Sequence, residues 1–271
     1  MIHNIFNNKT DLIRRLTAHI ESVLAPKGGG LILPGGQTPY DLYSAIRCQN
    51  LKIDWSKVWL TLSDERFVDR DTPRSNEYEF NKRFLKDINV FYAGAKPYYI
   101  SLRGHESQNT TREEAKQQAY DRHRRLQKLP IFQQPSIAIL GMGLDGHIAS
   151  LFKISQCTSK LSKKSQPYMA NSLGHVACSW IQSRNPTSDF TPDDLLHLTE
   201  RPYIKKNDDD TIPADYQRIT WSLDMFLNCD HIILMVEGDA KHKVIQKALS
   251  GTPLPVQFIL SHPNSYLYWC P

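Results

Sequence analysis

The chain has 271 residues, of which 40% are hydrophobic and 23% charged, with a net charge of +5. This composition excludes disorder throughout, and no apolar run approaches the roughly 20 residues that a membrane-spanning helix needs. A mildly basic balance suits small anionic substrates and nucleic acid alike, so it selects neither. The residues up to Lys9 lack the apolar core of a secretory signal, and Cys48, Cys157, Cys178, Cys229 and Cys270 form no Cys-x-x-Cys pair. Free thiols in a reducing cytoplasm are expected.

From Asp11 to Leu24, apolar Leu12, Ile13, Leu16, Ile20, Val23 and Leu24 form a helical stripe, with Thr10 as the expected cap and Pro26 and Gly28 as the stop. Leu31–Leu33 reads as a short buried strand, followed by the turn Pro34–Pro39 and a helix over Tyr40–Arg47. Val58–Leu62 is a second strand. Thr111-Arg112-Glu113-Glu114 has capping-box spacing and opens a charged helix to about Leu129. Ser136–Leu140 is a further strand. The stretch 153–217 breaks the alternation and reads as a surface insertion; its run Lys205–Asp210 reads as a solvated loop, lacking the Gly-and-Glu frame of a calcium loop. His231–Val236 is another strand, after which Asp239 is expected to cap a helix reaching Leu249 and stopped by Gly251.

Strands alternating with helices predict an α/β fold: a doubly wound, mainly parallel sheet with helices on both faces, here as a single domain over residues 1–271. Ligands of such sheets bind at the carboxyl ends of the strands. Chemistry is therefore expected just after Leu33, Leu62, Leu140 and Val236.

Each of these positions carries a signal. After Leu33 comes Gly35-Gly36-Gln37-Thr38-Pro39 and a helix start, where backbone N–H groups and a hydroxyl can meet an anion or simply form a capped turn. After Leu62 comes Ser63-Asp64-Glu65-Arg66, with Ser75-Asn76 a short loop later. Charges leaving a buried strand must find partners or a cleft; Arg66 can fork onto phosphate and Asp64 can orient a base or water. After Leu140 the segment Gly141-Met142-Gly143-Leu144-Asp145-Gly146-His147 places a histidine beside an acid at a glycine-broken strand end. Fourth are Arg218-Ile219-Thr220 and Glu237-Gly238-Asp239-Ala240-Lys241, the lysine lying in a first helical turn that normally favours acids.

The motifs Gly-Gly-x-Thr-Pro, Asp-Glu-Arg, Ser-Asn, Gly-x-Gly-x-Asp-Gly-His-x-Ala-Ser-Leu-Phe, Arg-Ile-Thr and Gly-x-x-Lys occur in the order found in 6-phosphogluconolactonases, and the chain resembles that family from about Gly30 to Trp269. The resemblance implies a sugar-phosphate isomerase-type fold and hydrolysis of 6-phosphogluconolactone in the pentose phosphate pathway. It implies His147 as general base, with Asp64 and Asp145 orienting it or the substrate. Gly35, Gly36, Gln37, Thr38, Arg66, Arg218 and Lys241 would hold phosphate or nearby hydroxyls, and Ser75 and Asn76 would line the same cleft. No metal or organic cofactor is expected. The partner is a small sugar-phosphate lactone, with no nucleic acid and no membrane, and a monomer is compatible with the sequence. Departures from the family pattern are Pro34, Gln37, Lys153-Ile154 after Leu-Phe, and the Trp269-Cys270-Pro271 end.

Two alternatives stand beside this reading. Glucosamine-6-phosphate deaminases share the fold but carry Phe-Asn-Glu where this chain has Ser150-Leu151-Phe152. A non-catalytic sugar-phosphate sensor would carry a helix-turn-helix ahead of the fold, for which the stretch before Leu31 is too short.

Overall fold

Four continuous apolar runs form the centre of a parallel sheet because both of their faces are covered. The computed structural model describes residues 1–86, 88, 95–103, 117, 121, 126, 129, 135–152, 196–200 and 217–271. In chain order the elements are β1 (Ile2–Ile5), α1 (Lys9–Leu24), β2 (Gly29–Leu33), α2 (Tyr40–Cys48), β3 (Val58–Leu62), β4 (Asp64–Arg66), α3 (Asn76–Phe80), β5 (Tyr98–Ile100), β6 (Pro135–Leu140), β7 (Leu196–Glu200), β8 (Gln217–Trp221), α4 (Leu223–Leu227), β9 (His231–Glu237), α5 (Asp239–Leu249), α6 (Gln257–Leu260) and β10 (Ser265–Cys270).

Seven strands form one sheet in the order β1-β10-β9-β6-β2-β3-β5, every pairing parallel. From β2 the chain builds outward through β3 and β5; from β6 it builds the other way through β9 and β10. The strand order thus reverses between β2 and β6, where the carboxyl ends open a crevice. Alternation along each strand divides the core. Leu31, Leu33, Ile137, Ile139 and Ile233 share one core with Leu16 and Ile20 of α1, Tyr43 of α2 and Phe80 of α3. Ile32, Ala138, Leu140, Ile232 and Leu234 face the other way, against Trp221, Phe226, Ile245 and Phe258. The expected doubly wound sheet is present.

Several details differ from expectation. Asn8, not Thr10, caps α1, its side chain accepting from the Asp11 amide, so the helix begins earlier. α2 begins at Tyr40 as expected, with Pro39 as its cap, and runs one residue further, to Cys48. Gly238 precedes α5 at φ 92, and Asp239 is the first helical residue. The edge strand β1 and the inner strand β10 were not anticipated, nor was a second, antiparallel sheet in the order β4-β8-β7. Its strand β7 lies inside the stretch 153–217 expected to be an insertion. The charged helix from Thr111 has only Gln117, Asp121 and Leu126 described, all helical. Thr111–Glu114, Lys205–Asp210, Cys157 and Cys178 lie outside the described residues. Cys48 and Cys270 are free thiols, and the buried Cys229 thiol donates to the Met225 carbonyl at 3.5 Å.

At the amino ends of the strands, His19 of α1 holds the sheet by its ring nitrogens. Its Nε2 is 2.9 Å from His231 Nδ1 and its Nδ1 is 2.9 Å from the Tyr268 hydroxyl. Burial, then the neighbouring His231, pushes His19 down to about 4. The folded protein therefore resists a proton that the unfolded chain accepts near 6.5. The stability this gives is complete above about pH 6.5 and is lost as pH falls towards 4. Thermal unfolding should show Tm falling across that window, and His19→Gln should flatten the fall. An equal slope in both proteins would contradict this.

Candidate active site

Ser63 carries the chain from β3 into β4. Its amide donates to the Leu33 carbonyl at 2.7 Å and its carbonyl accepts from the Trp221 amide at 3.2 Å. The Trp221 indole donates to the Leu62 carbonyl at 2.9 Å. The small antiparallel sheet is thus fastened across the carboxyl end of the large one. Alternation in β4 sends Asp64 and Arg66 to one side and Glu65 to the other.

Pairing with β8 sets Arg66 directly opposite Arg218 and Asp64 opposite Thr220. Like charges facing each other across a strand pair repel, and an anion between them relieves that. The Arg66 guanidinium also donates to the Arg74 carbonyl at 2.9 Å. Glu65, only 1% exposed, points inward. It accepts from the amides of Arg66, Asn76 and Glu77 at 2.7, 2.8 and 2.6 Å and from the Ser75 hydroxyl at 3.0 Å. Burial pushes its carboxyl up against those bonds. Ser75 is therefore spent on structure: it donates to Glu65, accepts from the Tyr78 amide, is itself 1% exposed, and does not line the cleft as expected.

Asn76 donates to the Asp64 carbonyl at 3.0 Å. A Cβ on Gly35 would lie 2.3 Å from the Asn76 side chain, so the loop after β2 closes against Asn76 only with glycine there. The same loop is anchored from below by the buried Tyr43 hydroxyl, which donates to the Pro34 carbonyl.

The turn after β6 presents the histidine. The Gly143 amide donates to the His147 carbonyl at 3.0 Å, and Gly146 to Gly143 at 3.1 Å. His147 Nδ1 lies 2.5 Å from Asp145 Oδ1. Burial raises the Asp145 carboxyl, but the charge and hydrogen bonds of His147 outweigh it, and the net shift is downward. An ionised Asp145 can only accept, so the neutral imidazole beside it would carry its hydrogen on Nδ1 and leave Nε2 to accept a proton. The imidazole packs 4.7 Å from the Phe152 ring. Ala149, at φ 46, holds the left-handed conformation that side chains disfavour. It turns Ser150 inward, where its hydroxyl donates to Asp64 Oδ2 at 2.5 Å while Ser63 donates to Oδ1 at 2.7 Å.

These segments enclose an open cleft of about 310 Å³ at the switch point. Gly35, Gly36, Gln37, Thr38, Asp64, Arg66, Asn76, His147, Arg218 and Lys241 all line it. Asp145 does not; it stands behind the imidazole with its side chain 58% exposed, placed to act on the ring rather than on a ligand. Lys241 rises from the first turn of α5, and burial lowers its pKa against the pull of Glu237. Sequence reasoning missed Ser63, Ser150 and Phe152, and the Met142 and Met235 wall. Among the described residues, no group of three or more His, Cys, Asp or Glu side chains is arranged to hold a metal ion. No described helix is long and apolar enough to cross a membrane.

A family model described as glucosamine-6-phosphate isomerases/6-phosphogluconolactonase matches residues 8–172, more than half of the chain. The chain belongs to this family. Among its relatives, the 6-phosphogluconolactonase of Rhizobium meliloti is 27% identical over 278 residues, covering 99% of this chain and 98% of that protein. Among solved structures, a 6-phosphogluconolactonase from Shewanella baltica superposes with a TM-score of 0.70 at 25% identity, over 100% of this chain and 98% of the other. The 6-phosphogluconolactonase of Trypanosoma brucei shares the fold with a TM-score of 0.71 at 18% identity, over 99% and 95%. The glucosamine-6-phosphate isomerase/6-phosphogluconolactonase fold thus spans the chain.

Proposed function

We propose that this protein is a 6-phosphogluconolactonase, hydrolysing 6-phospho-D-glucono-1,5-lactone to 6-phospho-D-gluconate within the pentose phosphate pathway, in the cytoplasm. One observation carries the reading: a single cleft holds an imidazole whose Nδ1 lies 2.5 Å from Asp145 Oδ1, together with three cations, Arg66, Arg218 and Lys241. A lactone is an activated ester, so one positioned base and one charge stabiliser suffice. His147 Nε2 takes a proton from water as the water oxygen bonds to the lactone carbonyl carbon. The tetrahedral intermediate then breaks its ring C–O bond, and the proton returns to the departing ring oxygen. Asp145 holds the imidazole tautomer. Asp64, fixed by two serine hydroxyls, accepts from a sugar hydroxyl. The three cations and the Gly35–Thr38 loop hold the phosphate, with Asn76 bracing that loop. The relatives named 6-phosphogluconolactonase support this assignment. The deaminase alternative lacks its ring-opening carboxylate, since Ser150-Leu151-Phe152 stand there.

Phosphate reading by the cations is separable from catalysis. Arg66→Ala or Lys241→Ala should raise KM for the phosphorylated lactone, each charge-assisted hydrogen bond being worth about 1.5–3 kcal/mol. Unphosphorylated gluconolactone should be much less affected. The measurement is the ratio of kcat/KM for the two substrates in wild type and each variant. A constant ratio would show that these cations do not read phosphate.

A further inference from the structure

Lys9, the first residue of α1, has no part in the chemistry above. Its ammonium lies 2.8 Å from the Asp41 carboxylate and 3.0 Å from that of Glu237. Asp41 sits in the first turn of α2, the helix that follows the Gly35–Pro39 loop. Glu237 ends β9 and is followed by the Gly238 turn and then by Lys241. One side chain thus joins two segments that lead to different walls of the cleft. Burial disfavours the charge on Lys9, yet its two carboxylate partners raise its pKa overall.

Glu237 is also the acid that acts on Lys241. A carboxylate four positions before a lysine, at the mouth of an anion site, competes with the anion for that lysine. Lys241 makes no ion pair among the described residues, whereas Glu237 is paired with Lys9. We propose that Lys9 is a positioning residue for phosphate binding: by holding Glu237 and Asp41 together, it keeps Glu237 from capturing the Lys241 ammonium. This rests on the reading of Lys241 as a phosphate contact.

The test compares Lys9→Met with wild type on phosphorylated and unphosphorylated lactone at low salt. KM for the phosphorylated lactone should rise about three- to fivefold, the scale of a half-exposed ion pair, and the rise should shrink as salt screens the charges. Turnover of both substrates and KM for the unphosphorylated lactone should hold. Adding Glu237→Gln to Lys9→Met should restore KM, because the competing carboxylate is gone, and Lys9→Arg should behave as wild type. Glu237→Gln alone should leave KM at or below the wild-type value, which tests the proposal even if Lys9→Met folds poorly. An unchanged KM in Lys9→Met, a rise that Glu237→Gln fails to reverse, or a rise in Glu237→Gln alone would overturn it. Lys241→Ala separates the two layers. If it raises KM and Lys9→Met does not, only the role of Lys9 fails; if it leaves KM unchanged, the phosphate reading of Lys241 fails with it.

Discussion

His147→Ala is expected to lower kcat by roughly 10²–10⁴-fold, the usual yield of a positioned general base. KM for the phosphorylated lactone should change little, because the three cations stand on other elements. The fold should survive. The imidazole side chain is partly exposed, at 26%, and its contacts are with Asp145 and Phe152 on the same turn. Thermal unfolding of the variant should therefore resemble wild type. Wild-type turnover by a folded His147→Ala protein would remove the base from the mechanism.

Gly143→Ala should produce a loss of similar kind without replacing any ionisable residue. A Cβ at Gly143 would lie 2.2 Å from His147 Cε1 and 2.6 Å from Asp145 Oδ1. Its φ is not in the left-handed region, so the backbone accepts alanine and the clash falls on the imidazole. The ring must rotate, the 2.5 Å contact with Asp145 breaks, and the base leaves its position. Misplacement on this scale costs about 10²-fold in rate. Steady-state kinetics should show kcat falling while KM stays near wild type. Full activity in Gly143→Ala would mean that the imidazole does not work from this position.

Much of this arrangement was legible in the sequence because it rests on strands buried on both faces. Leu31–Leu33, Val58–Leu62, Ser136–Leu140 and His231–Val236 are short apolar runs, and a parallel sheet needs such runs at its centre. Their carboxyl ends carried the glycines and charges that line the cleft. β1 escaped because it is short, mostly exposed and polar at His3 and Asn4. β4 escaped because Asp64-Glu65-Arg66 has no apolar alternation; its strand pairing comes from β8, more than 150 positions away. That pairing decides which charge is buried. Glu65 turns inward and takes Ser75 with it, so a serine that looked like a ligand contact became part of a buried cap. Ser150 was missed for a related reason: its partner Asp64 lies 86 positions earlier, and only the left-handed turn at Ala149 brings them together. Local spacing, by contrast, was enough for Asp145 and His147, two positions apart.

The central claim is tested most directly by the initial rate of ring opening of freshly prepared 6-phosphogluconolactone, followed by acid release. Because the lactone also opens spontaneously, the purified protein is compared with buffer alone and with His147→Ala at equal concentration. The expected result is opening far above the spontaneous rate with the wild-type chain and close to it with the variant. A wild-type rate no different from buffer, with the protein folded, would contradict a lactonase assignment.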